Sequence, residues 1–183
     1  DEPAISSLTQ NNGFMILNGD KYNSNGQDPK PSFVNMNALF QTTAINCSGY
    51  ENIVLRFLQS FRWCCDPPPV MAVMVSHDGI NWTSFDVRNN VDHNTTSSDP
   101  DHVEVDISAV AANQSTVYIR FYLGGISHYY WMIDDIVVEA NNSYCLDSLL
   151  NVPLTGLPNG GIFTGLGISA TDFSPSIIGT HEI

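Results

Sequence analysis

The sequence predicts an all-β fold, a sandwich or a barrel. Nearly every apolar segment is short, rich in Val, Ile, Phe and Tyr, and bounded by Gly, Asn, Asp or Pro, which marks strands rather than helices. These segments recur at regular intervals with turn residues between them, the pattern of sandwiches and barrels. With 43% hydrophobic residues in 183, the chain can fill the core of one full domain and part of a second.

Phe14 to Leu17 reads as the first strand. The run from Ile53 to Phe61 is the next strong one, with Ile53, Leu55, Phe57 and Phe61 on one face and Arg56 on the other. Val70 to Ser76 leads through His77-Asp78-Gly79-Ile80-Asn81 into Trp82-Thr83-Ser84-Phe85, and an Asp-Gly pair between two β-like runs signals a hairpin. Val103 to Ile107 alternates, as does Val117 to Tyr122, which turns Val117, Ile119 and Phe121 inward. Asp20 to Pro31 and Asn89 to Pro100, full of Asn, Ser, Gly, Thr and Pro, read as long loops. Ala109 to Gln114 suits one helical turn with Ser108 as its cap.

The most informative run is Tyr129-Tyr130-Trp131-Met132-Ile133-Asp134-Asp135-Ile136-Val137-Val138, which carries two adjacent carboxylates through an apolar, β-rich stretch. Side chains on a strand alternate, so Met132, Asp134, Ile136 and Val138 share one face, and Trp131, Ile133, Asp135 and Val137 the other. Whichever face is the core, one aspartate points into it. A buried carboxylate is costly unless paired or bound to a metal, and only six Lys plus Arg are available to pair it. A bound cation is the expected solution.

The formal net charge of −13 excludes nucleic acid as an expected partner, because phosphate binding needs clustered Lys and Arg. The same acidity suits a secreted, soluble protein with affinity for divalent cations. No apolar run approaches the roughly 20 residues of a membrane helix. Asp1-Glu2-Pro3 lacks the basic and apolar regions of a signal peptide, which suggests a mature or excised piece. Cys47, Cys64, Cys65 and Cys145 have no C-x-x-C spacing, so structural zinc is not expected. Disulfides and buried free thiols both remain open, although a bridge between the neighbours Cys64 and Cys65 would be strained.

Cys47-Ser48-Gly49, the Phe57 strand, the hairpin from Val75 to Thr83, Val117 to Tyr122 and Tyr130 to Ile136, taken in order, resemble the MAM-like jelly roll. That family includes the cleaved-adhesin and "choice-of-anchor" modules of large secreted proteins of the Bacteroidota. The resemblance covers residues 1–140 and implies a jelly-roll β-sandwich there, with 141–143 as a linker. Residues 144–183, with Val152-Pro153-Leu154-Thr155-Gly156, Phe173-Ser174-Pro175 and Gly179-Thr180-His181, resemble the opening half of the Ig-like repeats of surface adhesins in the same organisms, including gliding-motility adhesins. Such a sandwich usually needs about 70 to 100 residues, so the resemblance implies a truncated repeat in which Cys145 has lost its usual partner.

Calcium is the first chemical expectation. It takes about 6 to 8 oxygen ligands, which Asn18-Gly19-Asp20 offers. In the resembled jelly rolls the first and last strands lie close, which would bring Asn18 and Asp20 to Asp134 or Asp135. The competing solution is an aspartate held by backbone N–H groups or Arg120. Carbohydrate is the second expectation: Trp63 and Tyr129 would stack on a sugar, and Arg62 and His128 would supply hydrogen bonds. The strand before Pro67-Pro68-Pro69 must leave the sheet and expose its last residues, which favours Trp63, whereas Trp82 and Trp131 match family positions that pack on the core. Catalysis is not expected. The histidines lie in turns or polar loops without a recognisable motif, and strand neighbours such as Asp134 and Asp135 cannot flank one glycosidic bond. Asn-x-Ser/Thr triplets at Asn46, Asn81, Asn94, Asn113 and Asn141 arise by chance in such a composition and would matter only in a eukaryotic secreted host. The resemblance instead makes Ser148, in Asp147-Ser148-Leu149, a candidate O-glycosylation site.

The expected function is therefore that of a non-catalytic adhesion or spacer module of a secreted or cell-surface bacterial protein. It would take a surface glycan or protein ligand and be exported by the type-nine secretion machinery. The rival is a carbohydrate-binding accessory module of a secreted hydrolase or peptidase.

Overall fold

Alternating apolar residues lay down eight strands: β1 (Met15–Asn18), β2 (Met36–Gln41), β3 (Asn52–Phe61), β4 (Val70–Ser76), β5 (Thr83–Asp86), β6 (Asp101–Asp106), β7 (Tyr118–Gly125) and β8 (Tyr130–Asn141). The computed structural model describes residues 4–24, 35–64, 68–125, 129–141, 152–153, 162, 164–165, 168–169 and 172–174. Its contacts divide the chain into two units, Asp1–Asn141 and Asn142–Ile183.

In the first unit the strands form two antiparallel sheets, ordered β1-β8-β3-β6 and β2-β7-β4-β5. This interleaving of strands distant in sequence is the jelly roll, two Greek keys folded into facing sheets. The core between them takes Ile53, Leu55, Phe57 and Phe61 from β3, Val73 and Val75 from β4, Ile119 and Phe121 from β7, and Trp131 and Ile133 from β8. Phe121 lies at its centre, stacked on Phe40 with centroids 4.7 Å apart and meeting Phe57 edge-on at 5.1 Å.

One polar side chain, Gln59, points into this core fully buried. Its Nε2 donates to the Val87 carbonyl and to Asp101 Oδ2, each at 2.8 Å, and its Oε1 accepts the Trp131 indole N–H at 2.8 Å. With donors and acceptor all paired, burial of the amide carries little penalty. On the outer face of the other sheet, Tyr122 lies across Gly124. A Cβ there would fall 2.6 Å from Tyr122 Cε1 and closer still to Cζ.

The Asp-Gly hairpin forms as expected, with β4 paired to β5 from Val75↔Thr83 to Ala72↔Asp86. Three local expectations fail. Part of the loop expected from Asp20 is a short helix, α1 (Gly19–Ser24), whose first turn is closed by Asn18 Oδ1 accepting the Lys21 N–H at 2.7 Å. The helix α2 (Ser108–Ala111) has no side-chain cap, because Ser108 Oγ instead accepts the Ile53 N–H at 2.9 Å. Trp82 does not enter the core: Arg120 lies over its ring at 3.6 Å, while its indole N–H reaches the Gly79 carbonyl at 3.3 Å.

In the second unit the described residues hold three two-residue strands, β9 (Val152–Pro153), β10 (Ile168–Ser169) and β11 (Asp172–Phe173), in antiparallel order β10-β11-β9. Most of the segment expected to form an Ig-like half-repeat lies outside the described residues.

Candidate functional site

The paired aspartates sit where β8 is irregular. Arg56 of β3 opposes Val137, yet Leu58 opposes Asp134, so Asp135 and Ile136 together face Phe57. This is a β-bulge, and Asp135 takes the left-handed conformation that permits it, with φ of 49°. The extra residue resets the alternation: Trp131 and Ile133 face the core before the bulge, Val138 and Ala140 after it.

Neither aspartate therefore points between the sheets, which corrects the expectation drawn from strict alternation. Asp134 follows Met132 on the outer face, where the N-terminal segment covers it. Ile5 of that segment and Met132 of β8 are fully buried, and Asp134 is only 9% exposed. Its Oδ2 accepts the Ser7 hydroxyl and, at 3.2 Å, the Thr9 hydroxyl, while Oδ1 accepts the Asp135 N–H at 2.9 Å. The partners are hydroxyls and a backbone amide. Arg120 takes no part, since its Nε donates to Gln41 Oε1 at 2.6 Å on the other sheet. Asp135 is exposed, and its Oδ1 also meets Thr9 Oγ1, at 2.5 Å. The bulge thus lets both carboxylates reach one hydroxyl.

The four expected metal ligands are not brought together. Asn18 pairs with Tyr130, and the Asp20 N–H bonds the Tyr129 carbonyl at 3.0 Å. Asp134 lies four residue steps along the strand from Tyr130, about 13 Å at strand rise. Asn18 Oδ1 is also engaged in closing α1. Among the described residues no three His, Cys, Asp or Glu side chains gather to hold a metal.

The expected ligand residues converge better. Arg62 and Trp63 follow the last residue of β3, and Arg62 is held by its N–H on the Tyr130 carbonyl at 3.1 Å and a bridge to Thr96. The Arg62 guanidinium stacks on the Tyr129 ring at 4.2 Å. Asn94 links the two aromatics: its N–H donates to the Trp63 carbonyl at 2.9 Å, and its Oδ1 accepts the Tyr129 hydroxyl at 3.3 Å. Being neighbours in the strand direction, Arg62 and Trp63 point to opposite sides. Trp63 lines a cleft of about 630 Å³ with Asp86, Arg88, Asn90, Asp92 and His93. Its indole N–H is bound to the Val91 carbonyl at 2.8 Å, leaving the ring rather than the N–H for a ligand. His93 meets the ring edge-on at 5.3 Å, and Arg88 lies 5.6 Å from its centroid. Arg88 also binds Asp86 at 2.7 Å, and that hydrogen bond holds the Asp86 carboxyl below the usual carboxylate range.

His128, expected beside them, and Ser148 lie outside the described residues. Sequence reasoning did not name Arg88, His93 or Asn94 as ligand residues: Arg88 went unremarked, and His93 and Asn94 fell in the loop expected from Asn89 to Pro100. The available signal was the run Asn89-Asn90 with Asn94, since Asn tolerates the left-handed backbone that all three adopt. Cys47 is a buried free thiol and Cys64 is disulfide-bonded, while Cys65 and Cys145 lie outside the described residues.

No family model matches the chain, and no curated protein matches it. Among solved structures, one described as "CBM4 structure and function" aligns over 77% of this chain and 90% of its own, with 19% identity and a TM-score of 0.34. A likeness at that score says nothing of what this chain binds.

Proposed function

We propose that residues 4–141 form a non-catalytic binding module of a secreted or surface-attached adhesin, and that its ligand is a saccharide held at the loop end beyond β3. The observation that carries this reading is the Trp63 ring on the wall of an open cleft lined with polar side chains, with Asn94 bonded to the Trp63 carbonyl and to the Tyr129 hydroxyl, and Tyr129 stacked on Arg62 on the other side of the segment. An aromatic ring flanked by amides, carboxylates and guanidinium groups suits a sugar, which offers an apolar ring face and a rim of hydroxyls. Cell-surface localisation and type-nine export belong to the same proposal. A glycan array probed with the purified chain tests it. Binding should be lost in Trp63→Ala and Tyr129→Ala at unchanged melting temperature, whereas an array without any signal for the wild type would sink the reading.

Structural calcium is part of the proposal, at Asp134 and Asp135 with Ser7 and Thr9, whose oxygen-only donors suit a hard cation. Protein stripped with EDTA should melt higher once calcium is added. An unchanged Tm would exclude the site.

A further inference from the structure

A strand at the edge of a sheet presents a row of unpaired N–H and C=O groups. In the sheet β1-β8-β3-β6 one edge is β6, and its Asp101, His102, Glu104 and Asp106 are the kind of residues that discourage further pairing. The other edge is built differently. β1 covers β8 only from Tyr130 to Ile133, and a cleft of about 370 Å³ lined by Gly13, Phe14, Met15 and Ile136 opens where β1 stops. Beyond the bulge, among the described residues, no strand lies on that side of β8.

The register identifies the backbone groups left over. Ile53 turns its N–H to Ser108 Oγ and its carbonyl to the Ile107 N–H, both on the β6 side. Ladder bonds alternate along an antiparallel strand, so Val54 and Arg56 exchange theirs with Glu139 and Val137, and Ile136, Val138 and Ala140 direct their N–H and C=O groups to the open edge. The side chains there are apolar: Ile136 and Val137 are exposed, while Val138 and Ala140 are only partly buried on the core.

We propose that this edge pairs with the same edge of a second copy of the chain, β8 against β8, antiparallel about a twofold axis at Val138. An isologous contact needs a self-complementary stretch, and Ile136 to Ala140 supplies one. On the core face Val138 opposes its own counterpart and Ile136 opposes Ala140 of the second copy, apolar pairs that stabilise a sheet. On the outer face Val137 opposes Glu139, whose carboxylate is taken by Arg56 within its own copy, so no two like charges stand directly opposite. The net charge of −13 opposes association only weakly in physiological salt, where charges are screened beyond about 8 to 10 Å.

The test is sedimentation equilibrium of the full chain over a range of protein and salt concentrations. The wild type should pass from one chain mass to two as concentration rises, and should do so at lower concentration in higher salt. Val137→Glu places its carboxylate beside Arg56 of the neighbouring strand, which favours the fold. It should nevertheless weaken association about tenfold at an unchanged melting temperature, because the axis sets the new charge opposite Glu139 twice. Ala140→Pro removes an N–H that points to the open edge and should abolish the dimer. A wild type that stays monomeric up to its solubility limit overturns the proposal and leaves the edge to an extended segment of another protein. A dimer that neither substitution weakens overturns it as well, by placing the contact on another face.

Discussion

Asp134 is a carboxylate that two hydroxyls and a backbone amide keep in place, and its neighbour Asp135 is exposed in a left-handed bulge. Asp134→Ala would leave Ser7 and Thr9 without their acceptor under the N-terminal segment, and should cost about 2 to 4 kcal/mol in urea denaturation. Asp135→Gly keeps the backbone conformation available and should stay within about 1 kcal/mol of the wild type. Equal losses would refute the assignment of the buried partner. That one of the pair is buried was legible in the apolar run around them. Which one, and on which side, was not: the bulge inverts the alternation at that point, and the cover of Ile5 and Ser7 comes from more than a hundred residues away, where no local pattern records it. The same limit applies to Gln59, an ordinary polar residue in sequence whose three partners come from three separate segments.

The β4–β5 hairpin shows what a short motif does encode. Asp78 accepts the N–H groups of Ile80 at 2.8 Å and Asn81 at 2.7 Å, the Asn81 side-chain amide at 2.7 Å and the Ser76 hydroxyl at 2.9 Å. Led by the Asn81 N–H, these bonds hold its carboxyl well below the usual carboxylate range. A carboxyl depressed on folding stabilises the hairpin fully above its unfolded value, near pH 4, and that stability is lost as pH falls through the lower folded value. Protection of the Ile80 and Asn81 amides, measured against their intrinsic exchange rates, should therefore fall on acidification below about pH 4, and an Asp78→Asn variant should lack this acid-side change. On β7, Gly124→Ala should cost about 1 to 3 kcal/mol by overpacking against Tyr122, and adding Tyr122→Ala should recover part of the loss. A loss that persists in the double variant would place its cause in the backbone. The hairpin was readable because its signal lies within six residues. The Tyr122–Gly124 contact joins two residues on one face of β7, but the ring's direction depends on the neighbouring strands.

At the scale of the whole molecule, seven of the eight strands and their alternation were legible and β2 (Met36–Gln41) was not, while the order β1-β8-β3-β6 opposite β2-β7-β4-β5 joins strands that the chain separates widely and entered the reading only through resemblance. Limited proteolysis should yield a resistant fragment ending near Asn141, because strands of two residues in the second unit provide short ladders compared with the ten and twelve residues of β3 and β8. A product in which residues beyond Asn141 survive as long as the sandwich would show a stability that those ladders do not explain. The three tryptophans occupy three different surroundings: Trp131 sealed in the core with its N–H on Gln59, Trp63 half-buried at the cleft, and Trp82 under Arg120 on the far sheet. The protein therefore carries its own optical probes. A water-soluble collisional quencher should leave the emission of Trp131 intact and dim the other two, so a bound molecule that shields Trp63 alone would report in fluorescence which end of the sandwich it occupies, without any label.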